Sequence, residues 1–175
     1  SLVKIYSSWV PKKYILTTLH RAENTNNPKI LSDILSVLRS LSLRVKVILP
    51  IHPRTKKVIE KYSISTEGLH IIDPVSYLIM IALLTNARIV ITDSGGLQKE
   101  SYFAKVPCIT LRDETEWIET LENGWNTLVS PNDCNTIRST AEMLLQVDFT
   151  NKIYLESYVT GEASTKILDI LINHS

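Results

Sequence analysis

Arg88-Ile89-Val90-Ile91-Thr92-Asp93-Ser94-Gly95-Gly96-Leu97-Gln98-Lys99-Glu100 is the stretch on which the fold turns. The β-branched run Arg88 to Thr92 predicts a buried parallel strand. It passes through Asp-Ser-Gly-Gly directly into a segment of helical pattern. Two adjacent glycines let backbone N–H groups approach a ligand without interference from Cβ. The helix start adds unpaired donors and the positive end of a dipole. That combination suits a phosphate or diphosphate. A carboxylate at Glu100, on the helix just behind, is placed to accept hydrogen bonds from sugar hydroxyls. The same string reads equally well as a Ser-Gly-Gly turn that only caps a helix.

Outward from this point, strands and helices alternate along all 175 residues. Strands are expected at residues 14–19, 45–49, 69–72, 88–92, 107–111 and 127–129. Helices are expected at 28–41, 53–62, 77–84, 96–104, 116–122, 132–145 and 152–173. Pro28 and Pro53 suit first helical turns, and Asn123-Gly124 suits a helical stop. This alternation predicts an α/β domain, a doubly wound, Rossmann-like parallel sheet of six strands. Ligands of such sheets bind beyond the carboxyl ends of the strands. Those ends carry His20-Arg21-Ala22-Glu23-Asn24, His52-Pro53-Arg54, Asp93-Ser94-Gly95-Gly96 and Arg112-Asp113-Glu114. Each has an ordinary explanation as a cap or a surface ion pair. Together they put two histidines and three arginines on one rim, and arginine with helix N-termini is how proteins hold diphosphates.

Composition narrows the function. Hydrophobic residues make up 44% and charged residues 21%, with a formal net charge of +1. That balance gives no reason to expect nucleic acid as a partner. No apolar run reaches the roughly 20 residues that span a bilayer, so no membrane partner is expected. Cys108 and Cys134 lack metal-ligand spacing, and Cys108 reads as a core residue in an apolar strand. No metal and no cofactor are expected, and the setting is expected to be cytoplasmic. Strand one lacks Gly-x-Gly-x-x-Gly, and no Gly-x-x-x-x-Gly-Lys-Ser/Thr loop is present, which argues against dinucleotide and P-loop chemistry.

Thr18-Leu19-His20-Arg21-Ala22-Glu23-Asn24, Pro50-Ile51-His52-Pro53, Thr92 to Glu100, Leu111 to Glu116 and Gly124-Trp125-Asn126-Thr127-Leu128-Val129 occur in this order. With these strings the chain resembles the C-terminal domain of the non-hydrolysing UDP-N-acetylglucosamine 2-epimerases, one half of a GT-B fold. The resemblance implies that Ser94, Gly95 and Gly96 bind the UDP diphosphate and that Glu100 binds the ribose. It implies His52 in contact with UDP, Met80 near the uracil, Arg112 near phosphates and sugar, and His20 facing the departing diphosphate. Arg21 and Glu23 would line the interdomain cleft, where some relatives bind an activating second substrate molecule. The reaction so implied removes the C2 proton, expels UDP to leave a glycal, and adds UDP back after reprotonation on the other face.

The chain departs from the family pattern in three places. Met80 stands where relatives often have Phe. Glu116-Trp117-Ile118-Glu119 replaces Glu-Arg-Pro-Glu and looks like a branch acting on UDP-2,3-diacetamido-glucuronate. Tyr158-Val159-Thr160-Gly161-Glu162-Ala163-Ser164 matches the late family motif in part. The resemblance places the catalytic carboxylates in an N-terminal domain that this chain does not include. Residues 1–11 are therefore expected to be the connection to that domain, and 12–175 the UDP-binding domain. Without its partner domain the chain is expected to be inactive, and the full-length protein to be a homodimer. Two other functions are compatible with these features: a GT-B glycosyltransferase donor domain, and a non-catalytic nucleotide-sugar-binding module. The His-Arg-Ala-Glu-Asn cluster argues against the transferase.

Overall fold

The computed structural model describes residues 11–149 and Ile153. β1 (Tyr14–Thr18), β2 (Lys46–Pro50), β3 (His70–Ile72), β4 (Ile89–Thr92), β5 (Cys108–Leu111) and β6 (Asn126–Val129) form one sheet. All neighbours are parallel, in the order β3-β2-β1-β4-β5-β6. The order reverses between β1 and β4, so their carboxyl ends flank a topological switch point. The six strands expected from the sequence are all present, with boundaries shifted by a residue or two.

Between the strands lie α1 (Ala22–Thr25), α2 (Pro28–Ser42), α3 (Pro53–Lys61), α4 (Tyr77–Asn86), α5 (Gly95–Phe103), a 3-10 helix (Ile118–Gly124) and α6 (Cys134–Gln146). Asn27 caps α2, its side chain accepting from the amides of Lys29 and Ile30, and Pro28 opens the helix. Strand alternation divides the core between the two faces of the sheet. Ile15, Val47, Leu49, Ile89, Ile91 and Ile109 pack with α2 and α6. Leu16, Ile48, Val90 and Cys108 pack on the other face with Leu83, Leu84 and Leu97 of α4 and α5. Burial raises the Cys108 thiol to about 12, in keeping with a core residue.

Two expectations are revised. The segment expected as a helix over 116–122 is a 3-10 helix at Ile118–Gly124, ending with Gly124 at φ 65°. Side chains divert its backbone groups: Thr120 Oγ1 donates to the Trp117 carbonyl and Thr115 Oγ1 accepts from the Trp117 amide. The short helix α1 was not expected. It forms as the amides of Asn24 and Thr25 donate back to the Arg21 carbonyl, which also accepts from Thr25 Oγ1. The closing helix expected over 152–173, apart from Ile153, the motif at 158–164 and the connecting residues 1–10 lie outside the described residues.

Candidate functional site

The site begins with register. β1 and β4 pair Thr18 with Thr92, and β4 and β5 pair Thr92 with Thr110. Thr18 Oγ1 and Thr92 Oγ1 are hydrogen-bonded at 2.6 Å. Three strands therefore end level, and the loops that follow them share one rim.

Asp93 organises the loop after β1. It is fully buried. Its carboxylate accepts from the backbone amides of His20 (3.0 Å) and Arg21 (2.9 Å) and from the Asn24 side-chain amide (3.2 Å). His20 Nδ1 lies 3.2 Å from Asp93 Oδ1. This bond raises the His20 pKa above its ordinary 6.5, against the opposing effects of partial burial and of Arg21 and Arg54. Thr55 of α3 donates to the Leu19 carbonyl and ties the same loop from the other side.

His52 lies just beyond β2 and caps α3, its Nδ1 accepting from the Arg54 amide at 3.2 Å. In the neutral ring Nε2 then carries the proton. The rings of His20 and His52 lie 6.0 Å apart at 40°. Both line a cleft of about 250 Å³ with Thr18, Pro50, Val75 and Met80. Three of the residues singled out in the sequence thus converge in one cleft.

Beyond Asp93, Ser94 caps α5 by accepting from the Leu97 amide at 3.3 Å. Its hydroxyl hydrogen is not used in that bond. Gly95 is buried, and the space its missing side chain leaves is bordered by Arg112 Nη1, Glu116 Oε1 and Trp117 Nε1. Gly96 is exposed, and a Cβ there would meet only Ser94 Oγ at 3.8 Å. Of the two glycines, Gly96 is therefore the open approach to the helix start. Arg112 is nearly buried and pairs with Glu116 at 2.7 Å. The Glu116 carboxyl is held below its ordinary range by its own backbone amide and by Arg112.

A buried chain of hydrogen bonds holds this roof. Gln98 accepts from Thr115 and donates to Thr120, Asn126 donates to Thr120, and Thr110 donates to Asn126. Lys99 stacks on Trp117 with its Nζ 4.2 Å from the ring centroid. Glu100 lies farther along α5 and bonds the Tyr77 hydroxyl of α4, which raises the phenol pKa. Arg21 and Glu23 stand at the rim in a loose pair at 3.8 Å.

Asp93, Asn24 and Gln98 build the site without standing out individually in the sequence. For Asp93 the sequence does carry a signal: a carboxylate that directly follows a strand of buried pattern must find several donors once buried. Asn24 and Gln98 gave no such signal, because their partners are distant in sequence. Among the described residues, no three His, Cys, Asp or Glu side chains gather as a metal would require. Among them too, no helix is long and apolar enough to cross a membrane.

The family model for UDP-N-acetylglucosamine 2-epimerase matches residues 2–172. A UDP-N-acetylglucosamine 2-epimerase homolog of Methanococcus maripaludis is 43% identical over 167 residues, covering 93% of this chain and 45% of the relative. The UDP-2,3-diacetamido-2,3-dideoxy-D-glucuronate 2-epimerase of Pseudomonas aeruginosa is 43% identical over 162 residues, covering 90% and 44%. The structure of Methanocaldococcus jannaschii UDP-GlcNAc 2-epimerase in complex with UDP-GlcNAc and UDP superposes with a TM-score of 0.81 at 36% identity, covering 99% of this chain and 49% of that one. The chain spans a little under half the length of the curated relatives it matches.

Proposed function

This chain belongs to the UDP-N-acetylglucosamine 2-epimerase family, and on that premise we propose that it is the nucleotide-binding half of a GT-B UDP-sugar 2-epimerase, converting UDP-N-acetylglucosamine to its manno epimer. The observation that carries the reading is the shared rim at the switch point. There His20 and His52 face one cleft, and the Ser94-capped helix start adjoins Arg112. We assign the diphosphate to the amides at the start of α5 and the ribose hydroxyls to Glu100. The uracil goes to the side of the cleft bordered by Met80. A helix N-terminus with nearby cations stabilises negative charge on a departing diphosphate.

The epimerisation needs a group that removes the C2 proton. We place it in the other domain of the full-length protein, so this chain binds UDP and does not turn over alone. A second substrate reading, UDP-2,3-diacetamido-glucuronate, is supported by the Pseudomonas aeruginosa relative of that name, which is also 43% identical to this chain. We expect the full-length protein to be a cytoplasmic homodimer.

Calorimetric titration of the chain with UDP is expected to give one binding event. No heat and no thermal shift at millimolar UDP would overturn the reading. Full-length protein incubated with a UDP-sugar alone is expected to yield the 2-epimer. A requirement for a sugar acceptor would instead show a transferase.

A further inference from the structure

Asp93 is the most fully bonded charged group at the site, and UDP recognition gives it no task. Two backbone amides, the Asn24 amide and His20 Nδ1 all converge on its two oxygens. These donors fill the acceptor sites of a carboxylate. With its acceptor sites filled, this carboxylate has nothing left to offer a ligand. Its effect is therefore exerted on its neighbours. The amide and the ring of His20 are both tied to the same carboxylate, so the ring is fixed against its own backbone. With Nδ1 committed to Asp93, Nε2 is the ring nitrogen left for a ligand.

We infer that Asp93 is a positioning residue for His20: it holds the ring in its Nδ1–H form so that Nε2 meets the departing diphosphate. This rests on the reading that His20 faces that group. As the sugar C1–O bond breaks, its electron pair stays on the phosphate oxygen. The charged imidazolium donates a hydrogen bond from Nε2 to that oxygen, and Asp93 balances its charge from the other side. The other groups around His20 act against its charge or leave it unbalanced. Arg21 from the same loop and Arg54 from α3 both oppose protonation. His52 lies 6.0 Å away, and its Nδ1 is occupied by the Arg54 amide. Asp93 is thus the group that favours the charged ring.

Nitrogen-15 NMR of the histidine rings in this chain tests the inference. In the wild type, His20 Nδ1 is expected to stay protonated while Nε2 titrates. In Asp93→Asn, the His20 midpoint is expected to fall and UDP affinity at pH 7 to drop about tenfold. A neutral wild-type ring carrying its proton on Nε2 overturns the inference, and this measurement needs no folded variant. So does an Asp93→Asn protein with an unchanged His20 midpoint and an unchanged pH profile of UDP binding. A wild-type chain that binds no UDP overturns the nucleotide reading instead, and the ring tautomer still decides whether Asp93 holds His20.

Discussion

Gly95 and Gly96 open the same helix, yet a methyl group on each would meet different surroundings. At Gly95 it would touch Glu116, Arg112 and Trp117 at 3.4–3.5 Å, all ordinary contact distances. At Gly96 it would meet only Ser94 Oγ, at 3.8 Å. Gly96→Ala is therefore expected to leave the fold intact and raise stability by about 0.5–1 kcal/mol through helix propensity. It is expected to weaken UDP binding about tenfold by standing where the diphosphate approaches. Chemical denaturation and calorimetry on one variant separate the two effects. His20 carries a prediction with a defined sign. Its folded pKa is raised, so its contribution to stability is complete below pH 6.5 and disappears as pH rises through the folded value. His70 has a lowered pKa and works in the opposite sense. The comparison must therefore be between wild type and His20→Asn. The stability lost in that variant is expected to be larger at pH 5.5 than at pH 8.5 in urea titrations. An equal loss at both would show that the Asp93 bond does not favour the charged ring.

At the scale of elements, the segment from Thr115 to Gly124 shows where local pattern stops deciding structure. Its composition allowed an α-helix, and Asn123-Gly124 marked its end correctly. The 3-10 form comes from Thr115, Trp117 and Thr120, whose polar groups are engaged by each other and by Gln98 of α5 and Asn126 of β6. No spacing rule could link residues 98, 115, 120 and 126. Thr120→Val keeps the shape but leaves the buried amides of Gln98 and Asn126 short of a partner. It is expected to cost about 2–4 kcal/mol in urea denaturation and to loosen Arg112 over Gly95. Elements capped by their own sequence behaved differently. The Asn27-Pro28 start of α2 and the Pro53 start of α3 were legible because cap and helix are contiguous. Asn27→Ala is expected to cost about 1 kcal/mol.

At the scale of the whole molecule, strand order decides where the site lies. Reversal of that order between β1 and β4 opens the crevice. The level ends of β1, β4 and β5 then bring residues from three separate stretches of chain to its edge. A ligand held only by the folded state stabilises it by mass action, about 2.7 kcal/mol at roughly 100 times its Kd. For a domain of this size UDP is expected to raise the melting temperature by roughly 5–10 °C. His52→Ala is expected to shrink that shift, because His52 borders the cleft and supports none of the hydrophobic core. By itself, the order of residues along the chain determined the alternation of strands and helices, the parallel sheet, and which loops carry the polar chemistry. These follow from periodicity and from caps, which act over a few residues. Tertiary structure alone decided that Asp93 binds His20 across 73 positions, that Gly95 lies beneath Arg112 and Glu116 while Gly96 stays open, and that Gln98 governs a turn 22 residues away. Hydrogen bonds at 3 Å depend on the separation of atoms in space, and strand pairing sets that separation without leaving a pattern in the residues between.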